Sequence, residues 1–305
     1  MRSSTKKTLI AVLTLCLGLG MLLYPYVSNV INQRHQSQVA SNQEQTIASS
    51  GEGDLTAEKE KAFAYNAALL NGRAVVTDPF DQAALRPNAE DYTNALNIAG
   101  DGVMATLHVP SIGVALPIYH GTSDEVLQKG VGHLERTSLP IGGESSHSVL
   151  SGHTGLPTMQ VFDKIDRLKE GDWFIIRVLG EDHAYKVTSV ETVLPEQTES
   201  LTIVPGKDVV TLVTCTPYGV NSHRLLVHAE RIDVPAEWED AQKSEYAPIG
   251  FRLEENSLIP FTFIGIAIAV GVVLGIWLRR SRETEEKTLK ALQEKLANRW
   301  RGPHE

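Results

Sequence analysis

Two uncharged apolar stretches, one near each end of the chain, constrain everything between them. Leu9 to Tyr24 is interrupted only by Thr14 and follows Arg2, Lys6 and Lys7, while Leu258 to Leu278 runs into Arg279-Arg-Ser-Arg282. The second has the length of about 20 residues that a spanning helix needs. The first, taken over 8–31, has the basic flank of a secretory signal. Tyr24-Pro-Tyr-Val27 stands where a small-x-small cleavage site would be, so it reads as an uncleaved transmembrane anchor. Basic residues lie outside both apolar ends, which by the positive-inside rule puts residues 1–7 and 279–305 in the cytoplasm. The expectation is a multi-pass cell-membrane protein whose central domain is extracellular.

Charge supports this division. Of 28 basic and 37 acidic residues, three basic ones precede the first apolar segment, and eight basic and five acidic ones follow the second, leaving 17 basic against 32 acidic between. A central region that acidic repels a phosphate backbone, so nucleic acid is excluded as a partner. Of the two cysteines, Cys16 lies within the first apolar segment and leaves Cys215 without an external disulfide partner. An unpaired thiol in an oxidising compartment points to reactivity or burial.

Between the membrane segments the pattern changes three times. Residues 32–54 are polar and rich in Gln, Ser and Gly, as in a flexible stalk. Within 55–100, Leu55 to Leu70 has an apolar side and Thr56 as a candidate cap, predicting a helix; the rest is a long loop carrying Asp78-Pro79-Phe80. Residues 101–235 hold short β-rich runs between turn signals: 105–109, 114–119, 148–152, 173–179, 184–193, 201–204, 209–214 and 224–232. Eight such runs predict one mainly β domain, closed or sandwich-like. Residues 236–257 read as a polar linker to the second apolar segment, 258–278. In the tail, Leu289, Leu292, Leu296 and Trp300 recur at helical spacing.

The chemistry centres on Thr211-Leu-Val-Thr-Cys215, the end of an apolar run, with Arg224 opening the next run nine residues later. Two strands joined by the intervening turn would bring both to one end of a sheet. A buried structural cysteine is the competing reading. A thiol attacks only as thiolate, and a histidine is its usual proton partner. His153, in Leu150-Ser-Gly-His153-Thr-Gly-Leu-Pro157, follows a strand and lies between two glycines, where a side chain can meet a ligand; His133 is its nearest rival. Scattered histidines and one external cysteine lack metal-site spacing, so neither metal nor cofactor is expected. Arg224 could stabilise an oxyanion at an attacked carbonyl.

Taken together, Thr211-Leu-Val-Thr-Cys215, Arg224 and Leu150-Ser-Gly-His153 resemble the sortases, the cysteine transpeptidases of Gram-positive cell surfaces. The Asp78-Pro79-Phe80 segment, His153-Thr-Gly-Leu-Pro157 and the second apolar segment resemble the pilin-polymerising class C in particular. The resemblance implies a closed eight-stranded β-barrel with short helices, flanked by two transmembrane helices. It implies that Cys215 attacks the Thr-Gly bond of a Leu-Pro-x-Thr-Gly-like sorting signal, that His153 protonates the leaving amine, and that Arg224 holds substrate or oxyanion. A lysine of another pilin subunit would resolve the thioester. Asp78, Pro79 and Phe80 would form a lid, with Asp78 pairing Arg224 and Phe80 covering the sulfur of Cys215. A housekeeping sortase that anchors proteins to a peptidoglycan precursor shares this chemistry, and a non-catalytic membrane-anchored adhesion module would leave the external thiol unexplained.

Overall fold

The β-branched runs close on themselves. The computed structural model describes residues 2–71, 76–83 and 88–243, and of the C-terminal part 265, 271, 275–276, 279–280, 282–284 and 286–297. Two units result, Val27–Phe251 and a second made of Met1–Tyr26 with Arg252–Glu305.

The first unit is built on eight strands: β1 Val103–Val109, β2 Val114–His120, β3 Val131–His133, β4 Ser146–Ser151, β5 Trp173–Val178, β6 Glu181–Val193, β7 Asp208–Thr216 and β8 His223–Ile232. They form a closed barrel in the order β1-β2-β3-β4-β7-β8-β6-β5. The β2–β3 and β4–β7 pairs are parallel and the others antiparallel. Alternation sorts each strand into two faces. Inward, Leu107, Ile118, Leu150, Phe174, Leu212 and Val227 join one buried core, each contributing roughly 1.5–3 kcal/mol by leaving water. Outward, Val149 of β4, Val213 of β7 and Leu226 of β8 form a second apolar cluster with Leu134 and Leu201, and Val76, Phe80 and Val193 pack against it. That outer cluster lies beside Cys215 and Arg224.

Eight strands were expected and eight are present, with one exchange. Residues 201–204 are not a strand; Leu201 ends a 3₁₀ turn, Glu199–Leu201, and plugs the outer cluster. In its place β3 is only three residues long and contains Gly132, too short and too small to show a period. The glycine is required there, because a Cβ on it would sit 2.4 Å from the Gly121 carbonyl oxygen.

Two expectations outside the barrel need correction. The polar stretch 32–54 is not a flexible stalk, for helix α1 runs Arg2–Ser49. Its polar side chains are fixed to the barrel: Asn32 Nδ2 donates to the Thr158 carbonyl at 2.8 Å, and Gln43 Nε2 donates to the Val103 carbonyl at 3.2 Å. Glutamines that bond backbone carbonyls, such as Gln43, look solvent-loving in sequence and are buried in the fold. Helix α2 begins earlier than the proposed Thr56 cap, spanning Glu52–Asn71, and the Thr56 hydroxyl bonds back to the Glu52 carbonyl inside it. Asn66 fixes α2 by both donating to and accepting from the backbone of Leu139, at 3.1 and 2.7 Å.

Three short helices complete the unit: α3 Glu90–Asn94, α4 Asp124–Leu127 and α5 Ala236–Lys243. The last lies in the stretch expected to be linker, and Trp238 explains it. Its ring meets His108 and Trp173, at 5.1 and 6.4 Å between centroids, and its indole N–H donates to Asp182 at 2.8 Å. Among the described residues one helix, α1, is long and apolar enough to cross a membrane. Most of 258–278 lies outside the described residues, as do 244–257 and Trp300. In the second unit, 286–297 are helical with Leu289, Leu292 and Leu296 exposed.

Candidate active site

Cys215 and Arg224 are direct partners across the β7–β8 ladder. Both side chains share the outer face with Val213 and Leu226, at the end of the sheet where the turn between the two strands begins and ends. The parallel neighbour β4 stops at Ser151, opposite Val213, so the chain leaving β4 passes beside Cys215.

That exit is tightly built. The Gly152 amide bonds the Val213 carbonyl at 3.1 Å, and the Thr214 hydroxyl returns a bond to the Gly152 carbonyl at 2.7 Å. The hydroxyls of Thr154 and Thr214 are 2.6 Å apart. The Phe162 amide donates to the His153 carbonyl at 3.0 Å, and Asp163 accepts from the Gly155 amide at 2.9 Å. Both glycines beside His153 have a steric reason. A Cβ on Gly152 would meet the Phe162 ring at 2.8 Å, and Gly155, at φ +84°, lies against the ring of Tyr218. His153 is thus carried on a loop pinned to the strand that carries Cys215.

The segment 76–83 lies over this end of the barrel. Asp78 receives two hydrogen bonds from Arg224, Nε to Oδ1 at 2.9 Å and Nη2 to Oδ2 at 2.6 Å. The paired side chains are only 9 and 11 % exposed, which makes this a fork-to-fork pair withdrawn from water. Phe80 lies between the His153 imidazole, 5.7 Å between ring centroids, and the Arg224 guanidinium, 5.2 Å from its ring centre. Pro79 sits in the turn between them, closed by the Phe80 amide donating to Asp78 Oδ1 at 3.3 Å. Fastening continues on both sides: the Thr198 hydroxyl donates to the Val76 carbonyl, and the Gln82 amide group bonds the Thr122 carbonyl and the Asp124 amide.

The electrostatics fit a resting pair. Burial pushes the Cys215 thiol above its ordinary range; Arg224 opposes the shift and Asp78 adds to it. Burial pushes His153 down, partly offset by Asp124. Burial also works against the Arg224 charge, but the Asp78 carboxylate and Cys215 outweigh it and hold the guanidinium above its usual value. With the segment closed, thiol and imidazole are both biased towards their neutral forms.

His133, the rival histidine, is a core residue. Its Nε2 faces the Ser138 carbonyl at 2.8 Å and its Nδ1 the Tyr92 hydroxyl at 2.9 Å, and burial lowers it to about 3. Among the described residues no group of three or more His, Cys, Asp or Glu side chains is arranged to hold a metal ion.

A family model described as the sortase domain matches residues 107–232, which hold β4, β7, β8, Cys215, His153 and Arg224. Sortase C-1 from Actinomyces oris is 49% identical, covers 60% of this chain with 99% of its own, and superposes with a TM-score of 0.56. The chain belongs to the sortase family. Sortase C-1 from Streptococcus pneumoniae, 42% identical, matches 65% of this chain with 100% of its own at a TM-score of 0.61. The curated sortase A of Streptococcus agalactiae is 29% identical over 146 residues, and sortase D of Bacillus subtilis 30% over 129. These matches span 58 and 62% of the relatives' own lengths.

Within this sortase Ser151 belongs to the Leu150-Ser-Gly-His153 motif, and the sequence assigns it no role. Its hydroxyl is buried and has no hydrogen-bond partner among the described residues, on the face that carries Val149 and Val213. A small residue ahead of Gly152 gives no signal of that exposure to the outer cluster. The Thr154–Thr214 bond was likewise hidden, because it joins residues 60 positions apart.

Proposed function

We propose that this sortase is a membrane-anchored cysteine transpeptidase that cleaves the Thr-Gly bond of a Leu-Pro-x-Thr-Gly-like sorting signal and transfers the acyl group to a lysine of another pilin subunit. The observation that carries the reading is the joint placement of Cys215 and Arg224 as ladder partners with His153 on the loop pinned beside them.

The chemistry divides into two acyl transfers. The Cys215 thiolate adds to the threonine carbonyl carbon, and Arg224 stabilises the charge that builds on its oxygen. As the intermediate collapses, the C–N bond to glycine breaks and His153 gives its proton to the departing amine. A thioester remains on Cys215. The lysine amine then attacks the same carbon, the C–S bond breaks, an isopeptide bond forms, and a proton returns to the thiol–imidazole pair.

The segment Asp78-Pro79-Phe80 acts as a lid on this cycle. It occupies Arg224, packs on His153, and raises the thiol through the Asp78 charge. Opening removes all three effects together. The likeness to the C-1 sortases of Actinomyces oris and Streptococcus pneumoniae supports the pilin-polymerising class over a peptidoglycan-anchoring one. On this reading α1 anchors the enzyme and residues 258–278 form a second span, with the catalytic unit outside the cell.

The test is incubation of the full-length protein in detergent with a pilin bearing such a signal and an acceptor lysine. Covalent ladders formed by wild type and absent with Cys215→Ala are expected; ladders that persist in Cys215→Ala contradict the assignment.

A further inference from the structure

The loop between β6 and β7 is closed at its base by a chain of hydrogen bonds that contains two histidines outside the candidate active site. The Thr202 carbonyl meets His147 Nδ1 at 2.7 Å, and His147 Nε2 meets the Thr211 hydroxyl at 2.7 Å. The same hydroxyl meets His228 Nδ1 at 2.8 Å, and His228 Nε2 meets Glu191 Oε1 at 3.0 Å. The chain crosses the four adjacent strands β4, β7, β8 and β6 and starts from the loop itself.

Both ends of the chain, a carbonyl oxygen and a carboxylate, only accept, so the two imidazoles and the Thr211 hydroxyl supply its donors. His147 is buried, and burial lowers it to about 4. Glu191 is held below its usual carboxylate range by a hydrogen bond from Ser200 and then by His228.

The location gives the chain a consequence. Thr211 lies four residues before Cys215 on the same face of β7. Between them is the outer cluster, into which Leu201 of this loop inserts and against which Phe80 of the lid packs. The same loop holds the lid through Thr198.

We propose that His147, Thr211, His228 and Glu191 are positioning residues that clamp the β6–β7 loop as one wall of the substrate groove. This rests on the transpeptidase reading of the neighbouring site. The charged and titratable groups along the face are His147 from β4, His228 from β8 and Glu191 from β6. The next pair outward is Lys207 with Glu230, 2.9 Å apart.

Hydrogen exchange of the full-length protein in detergent tests the clamp without using activity. Intrinsic exchange rates are divided out, so the readout is the protection factor of the amides in 198–206. Thr211→Val and His228→Gln should each lower that protection about tenfold, as expected for loss of about one buried hydrogen bond, while Thr211→Ser, which keeps the hydroxyl, retains the wild-type value. Cleavage of a Leu-Pro-x-Thr-Gly peptide, measured in an Asp78→Ala background, should show KM raised severalfold by Thr211→Val with kcat nearly unchanged. Equal protection in wild type and Thr211→Val overturns the clamp, and altered protection with unaltered KM overturns its role in the groove. A background enzyme that cleaves no peptide contradicts the transpeptidase reading, and the exchange result still decides the clamp.

Discussion

Arg224 is held by Asp78 through two parallel hydrogen bonds, at 2.9 and 2.6 Å, while standing directly across the β-ladder from Cys215. The cation best placed to assist the thiol is therefore engaged by a carboxylate from another part of the chain. The carboxylate also acts on the thiol itself, adding to the upward shift that burial begins. The contact made by the Asp78–Phe80 segment is thus electrostatic as well as steric.

Asp78→Asn separates these two contributions, since it keeps the shape and removes the charge. Loss of the carboxylate lowers the thiol towards its ordinary range and frees Arg224 to lower it further. Labelling of Cys215 by a thiol-specific reagent at neutral pH should accelerate severalfold, because a larger share of the thiol is then thiolate. An unchanged rate removes the electrostatic part of the account.

The junction of α1 with the loop that carries His153 makes a second expectation. Asn32 donates to Thr158, Asn29 accepts from the Gln160 amide at 3.2 Å, and Gln36 reaches Met159 and Lys129. The bonds to Thr158, Met159 and Gln160 fall on the stretch that follows His153. A soluble form beginning after Ser50 should show faster hydrogen exchange across 156–162 than one beginning at Val27. Asn32→Ala in the longer form should cost roughly 1 kcal/mol of stability, the value of one partly buried hydrogen bond. Identical exchange in the two forms contradicts this support.

Buried histidines give the fold an acid limit. His108 is lowered to about 4, first by burial and then by Arg177, with Asp182 opposing, and its Nε2 has no partner among the described residues. In the unfolded chain the same ring titrates near its ordinary value of about 6.5. The unfolded state therefore binds the proton first, and stability falls as pH drops below that value towards about 4. His108→Phe, which keeps contact with Trp238, should flatten the decline in Tm between neutral and mildly acidic pH. An equally steep decline in the variant assigns the acid sensitivity elsewhere.

The sequence was most legible where a local pattern coincides with a structural period. Val209 to Thr214 and Arg224 to Ile232 read as strands because their residues are β-branched or alternate, and both are strands. That Cys215 and Arg224 lie at one end of a sheet followed from the turn between the two runs, whereas their direct pairing in the ladder is seen only in the fold. Asp78 was reached through resemblance, since nothing local marks an aspartate as the partner of an arginine 146 positions away. The same distance effect hid Gln36, Gln43 and Thr198, whose side chains act on backbone carbonyls remote in sequence. β3 was missed because three residues cannot display a period, and 201–204 misled because an apolar plug and a short strand have one composition.

The central claim is that Cys215 carries the acyl group. It is tested most directly by intact-mass measurement of the full-length protein, with Asp78→Ala and Phe80→Ala to open the lid, after brief incubation with a Leu-Pro-x-Thr-Gly peptide. The account predicts an added mass equal to the acyl fragment up to threonine, removed by hydroxylamine and absent when Cys215→Ala is introduced. The same adduct on the Cys215→Ala protein, or intact peptide and no adduct with the lid opened, would contradict it.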